Sequence, residues 1–416
     1  EVIEKDGITL GLSVQRWDAE ALRTLKKDGE ARDATGEGRF ASARAEKGQL
    51  RLRRDPLGAA PLYYGTSAEG ILFFASEVKA LLGRVASVLE LPPGTELFRG
   101  SLLPYYRLEE KPPLSASAEA TAGELRLRLE AAVLDCLNGR EVGSWLSGGL
   151  DSSLIAALAR PYQQRLHTFA AGLRGAPDLA FGAEAAAFLK SSHHEIVVEL
   201  PALIAALPKV IYHLETFDAL LIRSSVTNFI ASQRASQHVE MVLSGEGGDE
   251  LFGGYSYLKD IPLSGLPAEL VDITGRLHNT ALQRVDRSAM AHSTTAQTPF
   301  LDPQVVDFAL RIPAEMKIKD GVEKWILRRA AEGLLPPAVV ERPKAKFWEG
   351  AGVGSLLSEY AEMRVSDGEF AMNRVLKNGW RIATKEEYLY YKIFEEQFGA
   401  LDDLEWMGRT KGAPVS

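Results

Sequence analysis

The rhythm of apolar and polar positions changes once along the chain. Up to about residue 107 the apolar runs are short and set off by Gly, Pro or Asp: ITLGLSV (8–14), QLRLRRD (49–55), PLYYG (61–65), ILFFASE (71–77) and ELFRGSLLPYYRL (96–108). Alternation and β-branched or aromatic content in such runs predict strands, here of a mostly antiparallel β domain with one or two helices, such as AEALRTLKKDG (19–29). EEKPPLSASAEATAG (109–123) is rich in Pro, Ser, Ala and Glu and poor in large apolar residues. It predicts a linker running into a helix, with a domain boundary near residue 115.

Beyond that boundary helical spacing alternates with short buried strands. ELRLRLEAAVLDCL (124–137) predicts a helix, EVGSWLS (141–147) a strand, 151–160 a helix, LHTFAAGL (166–173) a strand, AEAAAFLKS (183–191) a helix and HHEIVVEL (193–200) a strand. Such alternation implies an α/β fold, with a parallel sheet covered on both faces and ligands at the C-terminal strand ends. From about residue 262 the pattern predicts almost only helix. The resulting domains are 1–115 and 116–416.

With 416 residues, 46% apolar and 25% charged, the chain can bury two to three cores. Its 48 Lys and Arg against 56 Asp and Glu give a net charge of −8, which argues against nucleic acid or an anionic membrane as the main partner. Function is then to be sought in a pocket. The single cysteine, Cys136, makes no internal disulfide and no cysteine-based metal centre, which fits a reducing compartment. No apolar run approaches the roughly 18–20 residues that span a bilayer, and no signal peptide is visible, so the expectation is a soluble, cytoplasmic protein.

Two segments carry chemistry. Ser147-Gly148-Gly149-Leu150-Asp151-Ser152-Ser153 sits directly between a strand and a helix. Two glycines that let N–H groups converge, and two hydroxyls just inside a helix start, make a phosphate cradle. No Gly-Lys-Ser/Thr follows, so this is not a Walker A loop. A loop that grips the terminal phosphates without a transfer lysine suits release of pyrophosphate. The alternative is an ordinary Gly-rich turn. SGEGGDELFGGY (244–255) again follows an apolar strand, VEMVLS (239–244), and sets Glu246, Asp249 and Glu250 among five glycines. Asp151 and Asp249 at neighbouring strand ends would offer Mg²⁺ hard oxygen ligands; the alternative is a solvated acidic loop. His193 and His194 are expected on alternate faces of a strand, binding nothing.

With these two segments in view, the chain resembles the asparagine synthetase superfamily. RRDPLGAAPLYYG (53–65), FFASEVKALL (73–82) and LPPGTELFRG (91–100) are similar to its glutaminase-like N-terminal domain. ETFDALLIRSS (215–225), TPFLD (298–302), EKWILRRA (323–330), ERPKAKFWEG (341–350) and TKEEYLYYKIFEEQF (384–398) resemble successive stretches of its synthetase domain. The resemblance implies a shortened Ntn-type β-rich domain followed by a pyrophosphate-loop domain with a helical C-terminal part. It also implies that ATP activates a carboxylate as an acyl-adenylate, releasing pyrophosphate, and that ammonia or an amine then displaces AMP. In that scheme Ser147, Gly148, Gly149, Ser152 and Ser153 cradle pyrophosphate, and Asp151 and Asp249 bind Mg²⁺. Lys344 stabilises developing charge, and Lys324 helps hold the triphosphate. Glu246 takes a proton from incoming ammonia. Leu146, Ala171, Ser244 and Gly245 enclose the nucleoside, and Arg223 is the candidate substrate ligand. A homodimer is the family expectation.

The resemblance breaks in two places. The family's glutaminase uses an N-terminal cysteine, whereas residue 1 is Glu and Cys136 is expected as a buried thiol in a helix. On the sequence as given, glutamine hydrolysis is expected to be lost, leaving free ammonia or a substrate amine, as in the β-lactam synthetase branch. In AHSTTAQTPFLD (291–302), Thr295 and Gln297 stand where asparagine synthetases carry Glu and Arg. Losing a charged pair alters what a small polar pocket accepts. A non-catalytic nucleotide binder is the alternative from another class.

Overall fold

The computed structural model describes residues 2–5, 8–14, 38–46, 49–137, 139–344 and 347–410, with side chains from residue 38 onward except 46, 347 and 348. The helix expected over 19–29, residue 1, and positions 345 and 346 of the ERPKAKFWEG stretch lie outside these. The chain divides into two compact units, one of residues 1–109, 277–283 and 403–408, the other of 110–276, 284–402 and 409–416.

In the first unit, strands β1 (Val2–Lys5), β2 (Ile8–Val14), β3 (Phe40–Glu46) and β4 (Gln49–Arg54) form successive antiparallel pairs. A second sheet consists of β5 (Tyr63–Thr66), β6 (Leu72–Ala75) and β7 (Leu89–Glu90), ordered β6-β5-β7. The hairpin β8 (Thr95–Phe98) and β9 (Ser101–Pro104) then completes the first sheet as β1-β2-β3-β4-β8-β9. Inward positions of the alternating strands, among them Ala41, Ala43, Leu52 and Leu97, meet Ala60, Leu62 and Leu91 in one core. The RRDPLG segment knots the unit together. Arg54, only 1% exposed, donates to the carbonyls of Gly58, Ala60 and Leu91 and to Glu90, while the Asp55 carboxylate accepts the N–H groups of Leu57, Ala59 and Ala60.

The second unit opens with α1 (Ala118–Leu137), six residues earlier than the sequence pattern predicts, because Ser117 accepts the Ala120 N–H and starts the helix. Its buried Leu125, Leu129, Ala132, Val133 and Leu137 recur at helical spacing; Cys136 on the same helix is half-buried rather than buried. Five short strands follow, four of them separated by helices: β10 (Gly143–Trp145), α2 (Leu150–Ala159), β11 (His167–Leu173), α3 (Pro177–Leu189) and β12 (Ser192–Val198), then α4 (Leu200–Leu214), α5 (Ala219–Ala235) and β13 (Met241–Leu243). The expectation of nearly unbroken helix after residue 262 is corrected by β14 (Thr295–Gln297), which pairs with β13. Three residues of mixed polarity are too few to show a period.

All four pairings are parallel, and the order is β12-β11-β10-β13-β14. β10 is thus the point from which the connections run in opposite directions, and the crevice at its C-terminal end is where such sheets take ligands. The register Ser144 with Leu243 brings the two chemistry-bearing loops out side by side. Trp145, Phe169, Ala231, Val242, Val285 and Ala296 belong to the buried cluster beneath them. No helix among the described residues is long and apolar enough to cross a membrane.

Candidate active site

Ser147 to Ser153 leave β10 and turn directly into α2. Gly148 takes φ +68°, and a Cβ there would lie 2.3 Å from the Phe181 backbone, so the turn admits only glycine. Ser147 Oγ lies 3.2 Å from Ser152 Oγ, and Gly149 N–H points at Ser147 Oγ over 3.3 Å. Ser153 Oγ is buried without a hydrogen-bond partner. Ser152 Oγ also lies 3.2 Å from the Gly149 carbonyl, so of the loop's hydroxyls Ser153 alone is left without a partner at this helix start.

The second loop packs closely on the first. Gly247 takes φ +97° before the short helix α6 (Gly248–Phe252), and a Cβ on Gly248 would come within 2.7 Å of the Asp151 carboxylate. Asp151 and Asp249 converge on one ammonium group. Lys324 Nζ is 2.5 Å from Asp151 Oδ2 and 2.5 Å from Asp249 Oδ1, and Lys344 Nζ is 2.5 Å from Asp249 Oδ2. Lys324 caps the helix Trp325–Ala331 with φ +55°, a left-handed conformation that long side chains avoid and that its two ion pairs hold in place.

The electrostatics follow from burial and from this charge pairing. Burial pushes the Asp249 carboxyl up, yet Lys324 and Lys344 together overcome it and hold the group at about 2. Asp151 goes the other way, raised by burial against the pull of Lys324. For Lys344, burial favours the neutral amine, but Asp249 and Asp151 outweigh it and the amine is held charged above its usual range. Asp151 Oδ1 is buried and accepts no hydrogen bond. Two carboxylates from two strand ends, one with an orphaned buried oxygen, suit a hard divalent cation.

Glu246 pairs with Arg284, a residue that sequence reasoning missed. Glu250 accepts from the hydroxyl of half-buried Tyr255, and burial, then the charges of Asp249 and Glu246, raise its carboxyl to about 7. The folded protein thus keeps a proton that the unfolded chain releases near 4.5. Its contribution to stability is complete below about 4.5 and lost as pH rises through about 7. Glu250→Gln should abolish that loss: between about pH 5 and pH 8 the urea midpoint of the unaltered protein should fall relative to the variant. Parallel curves would show that Glu250 does not titrate in that window.

The remaining sequence candidates occupy several surroundings. Leu146 is fully buried with its N–H on the Phe169 carbonyl, Ala171 lies in β11, and the Ser244 N–H donates to the Gln297 carbonyl on β14. Gly245 lies against α2, where a Cβ would be 2.7 Å from the Ser152 nitrogen. Arg223, on α5, donates to the buried Glu386, which also accepts from Tyr390. Arg342 had no assigned part, although it stands two residues before Lys344. It donates to the Ser147 carbonyl at 2.9 Å and to buried Asp178 at 2.6 Å, tying the lysine segment to the first loop. Glu323 accepts the Lys344 N–H at 3.2 Å and a bond from Arg328.

The asparagine synthase family model matches residues 124–272 and 264–411, most of the second unit and both loops. The chain belongs to the asparagine synthase family. A glutamine amidotransferase domain model matches residues 15–97. Among curated relatives, the chain is 37% identical over 390 residues to asparagine synthetase B (glutamine-hydrolyzing) of Escherichia coli strain K12, covering 88% of this chain and 70% of that protein. A probable asparagine synthetase of Dictyostelium discoideum is 34% identical over 394 residues, covering 86% and 71%, and one of Schizosaccharomyces pombe is 36% identical over 395 residues, covering 85% and 70%. As a family member the chain is an ATP-dependent, amide-forming carbon–nitrogen ligase.

Proposed function

We propose that this asparagine synthase family member condenses a small carboxylic acid with ammonia or an amine, by way of an acyl-adenylate formed at the crevice between β10 and β13. The observation that carries this reading is the convergence of Asp151, Asp249, Lys324 and Lys344 at the ends of those strands. In the first step a substrate carboxylate oxygen bonds to the α-phosphorus of ATP, and the bond to the β-phosphate oxygen breaks. Gly149, Ser152 and Ser153 bind the departing pyrophosphate. In the second step the nitrogen bonds to the acyl carbon, AMP leaves with the bonding pair, and Glu246 takes the proton that the nitrogen must lose. Lys344 lies where negative charge develops in either step. Asp151 and Asp249 would hold Mg²⁺, which when bound neutralises phosphate charge and polarises phosphoryl oxygens.

Aspartate is the substrate that the relatives' names suggest, but Thr295 and Gln297 weigh against it. They form β14, whose Gln297 is 8% exposed and supplies the carbonyl for Ser244, so the replaced charged pair would have lain beside the second loop. This favours a substrate of lower charge, and keeps open a reading in which the attacking amine is part of the substrate itself. Arg223 remains the proposed ligand for a carboxylate. Residues 116–416 are taken as the adenylating domain and 1–115 as the glutaminase-like one, in a cytoplasmic setting.

The test is pyrophosphate and AMP release from ATP across a panel of carboxylic acids, each with and without ammonia, glutamine or added amines. One or more acids should elicit pyrophosphate, and aspartate should not be the best. No release with any acid overturns the ligase reading for this chain. Aspartate as the best substrate overturns the specificity assigned to Thr295 and Gln297.

A further inference from the structure

The end of the parallel sheet away from the nucleotide loops carries a second group of chemically competent side chains. His167 opens β11, His194 is the third residue of β12, and His238 lies in the turn between α5 and β13. The register pairs Phe169 with His194, so His167, Phe169 and His194 share one face. His193 faces the other way and bonds to Thr168 Oγ1 at 3.0 Å. His167 Nδ1 is 2.9 Å from His194 Nε2, and the His238 ring centroid stands 4.1 Å from that of His194 and 5.3 Å from that of His167. One ring nitrogen of each residue lies within 4.8 Å of the other two. The Phe169 ring, 4.8 Å from His194, closes the inner side.

We propose that His167, His194 and His238 form a three-imidazole site for a divalent first-row transition metal of the zinc class, stapling β11, β12 and the turn before β13. Imidazole nitrogen suits these ions, and three such ligands leave a fourth position for water. Bonds of about 2.0–2.1 Å put tetrahedral ligand nitrogens roughly 3.3 Å apart. The 2.9 Å pair must open by a few tenths of an ångström, and exposed His238 can turn in to close the rest. The proton shared by His167 and His194 shifts to the other nitrogen of its own ring when the ion binds, and acid weakens binding by converting the imidazoles to imidazolium.

The surroundings favour neutral imidazoles. Burial, then His238 and His167, lowers His194 to about 4, and burial, Arg165 and His238 lower His167. Glu141 faces His167, and Arg234, at the end of α5, faces His194. Each ring is therefore neutral at neutral pH and keeps one lone pair, whose position the tautomer sets. The two arginines oppose a cation, which sets the expected affinity in the micromolar range rather than tighter. Register sets His167 level with Gly143 and His194 level with Trp145, so two to four residues of β10, roughly 7–13 Å along the strand, separate this group from Ser147.

The test uses the full chain, stripped with chelator and dialysed against Zn²⁺ in excess Mg²⁺, so that Asp151 and Asp249 are not available to zinc. About one zinc per chain should bind, and Co²⁺ in its place should give a visible absorption band. His238→Ala, at an exposed position, and His194→Asn should each weaken zinc binding roughly tenfold or more while pyrophosphate release without zinc is unchanged. Absence of zinc binding at micromolar concentration, or binding retained in either variant, overturns the site.

Discussion

Asp151→Asn is expected to lower pyrophosphate release at least about 10³-fold, a loss of roughly 4 kcal/mol of transition-state stabilisation. The side chain faces two demands at once. Its Oδ2 receives Lys324 at 2.5 Å, and its Oδ1 is buried without a donor. An asparagine amide keeps the shape but loses the anionic charge that a hard cation requires. It also leaves Lys324 and Lys344 sharing one acid, Asp249, so the site changes from two acids against two ammonium groups to an excess of positive charge. Nucleotide binding alone should survive, since positive charge attracts phosphate. The measurement is pyrophosphate release as a function of Mg²⁺ concentration at saturating ATP, with the thermal melt as a check on folding. The variant should need far more Mg²⁺ for any residual rate. Unchanged turnover at low Mg²⁺ would remove Asp151 from its assigned part.

Lys344→Met should cost about 10²–10³-fold in amide formation, the usual scale for losing one preorganised charge-stabilising group. Methionine keeps much of the stem and removes only the ammonium. The effect should fall on turnover more than on the KM for ATP, because Lys324 is retained. A second signature follows from the coupling of the groups. Asp249 is held at about 2 against its own burial by Lys324 and Lys344 together. With one lysine gone, burial gains ground and that carboxyl moves up. The acid limb of the pH–rate profile should shift to higher pH in the variant, an effect that a purely structural lysine would not produce. A rate within about threefold of the unaltered protein would exclude Lys344 from the chemistry.

What was legible in the sequence was local. A strand, two glycines and a helix start announce a phosphate loop within ten residues, and Gly148 and Gly248 sit where any side chain would collide. The acids Asp151 and Asp249 are readable because each lies in the first turn of the helix that follows a strand of one parallel sheet. The missed features join positions far apart. Arg342 reaches Asp178 across 164 residues, and Arg284 meets Glu246 across 38. No local period encodes such pairs. β14 was hidden for a related reason: Thr295 to Gln297 is a strand only because β13 offers it a hydrogen-bonding edge. The adjacent histidines were read rightly as facing opposite ways, but the partners of His194 come from β11 and from the turn before β13, which the sequence does not connect.

The pairing of Asp151 and Asp249 with Lys324 and Lys344 gives the ligand-free protein an internal salt of matched ions. On the proposed reading, filling the crevice would be an exchange of partners, in which the ammonium groups would turn from carboxylate to phosphate and the carboxylates would be released to a cation. No buried ion would then be stranded before or after, and the scaffold would admit a highly charged substrate without reorganising. The same symmetry has a kinetic side. A nucleotide arriving without its metal would strip the lysines and leave two acids bare, so on this reading the site would discriminate against free nucleotide by the charge it would orphan.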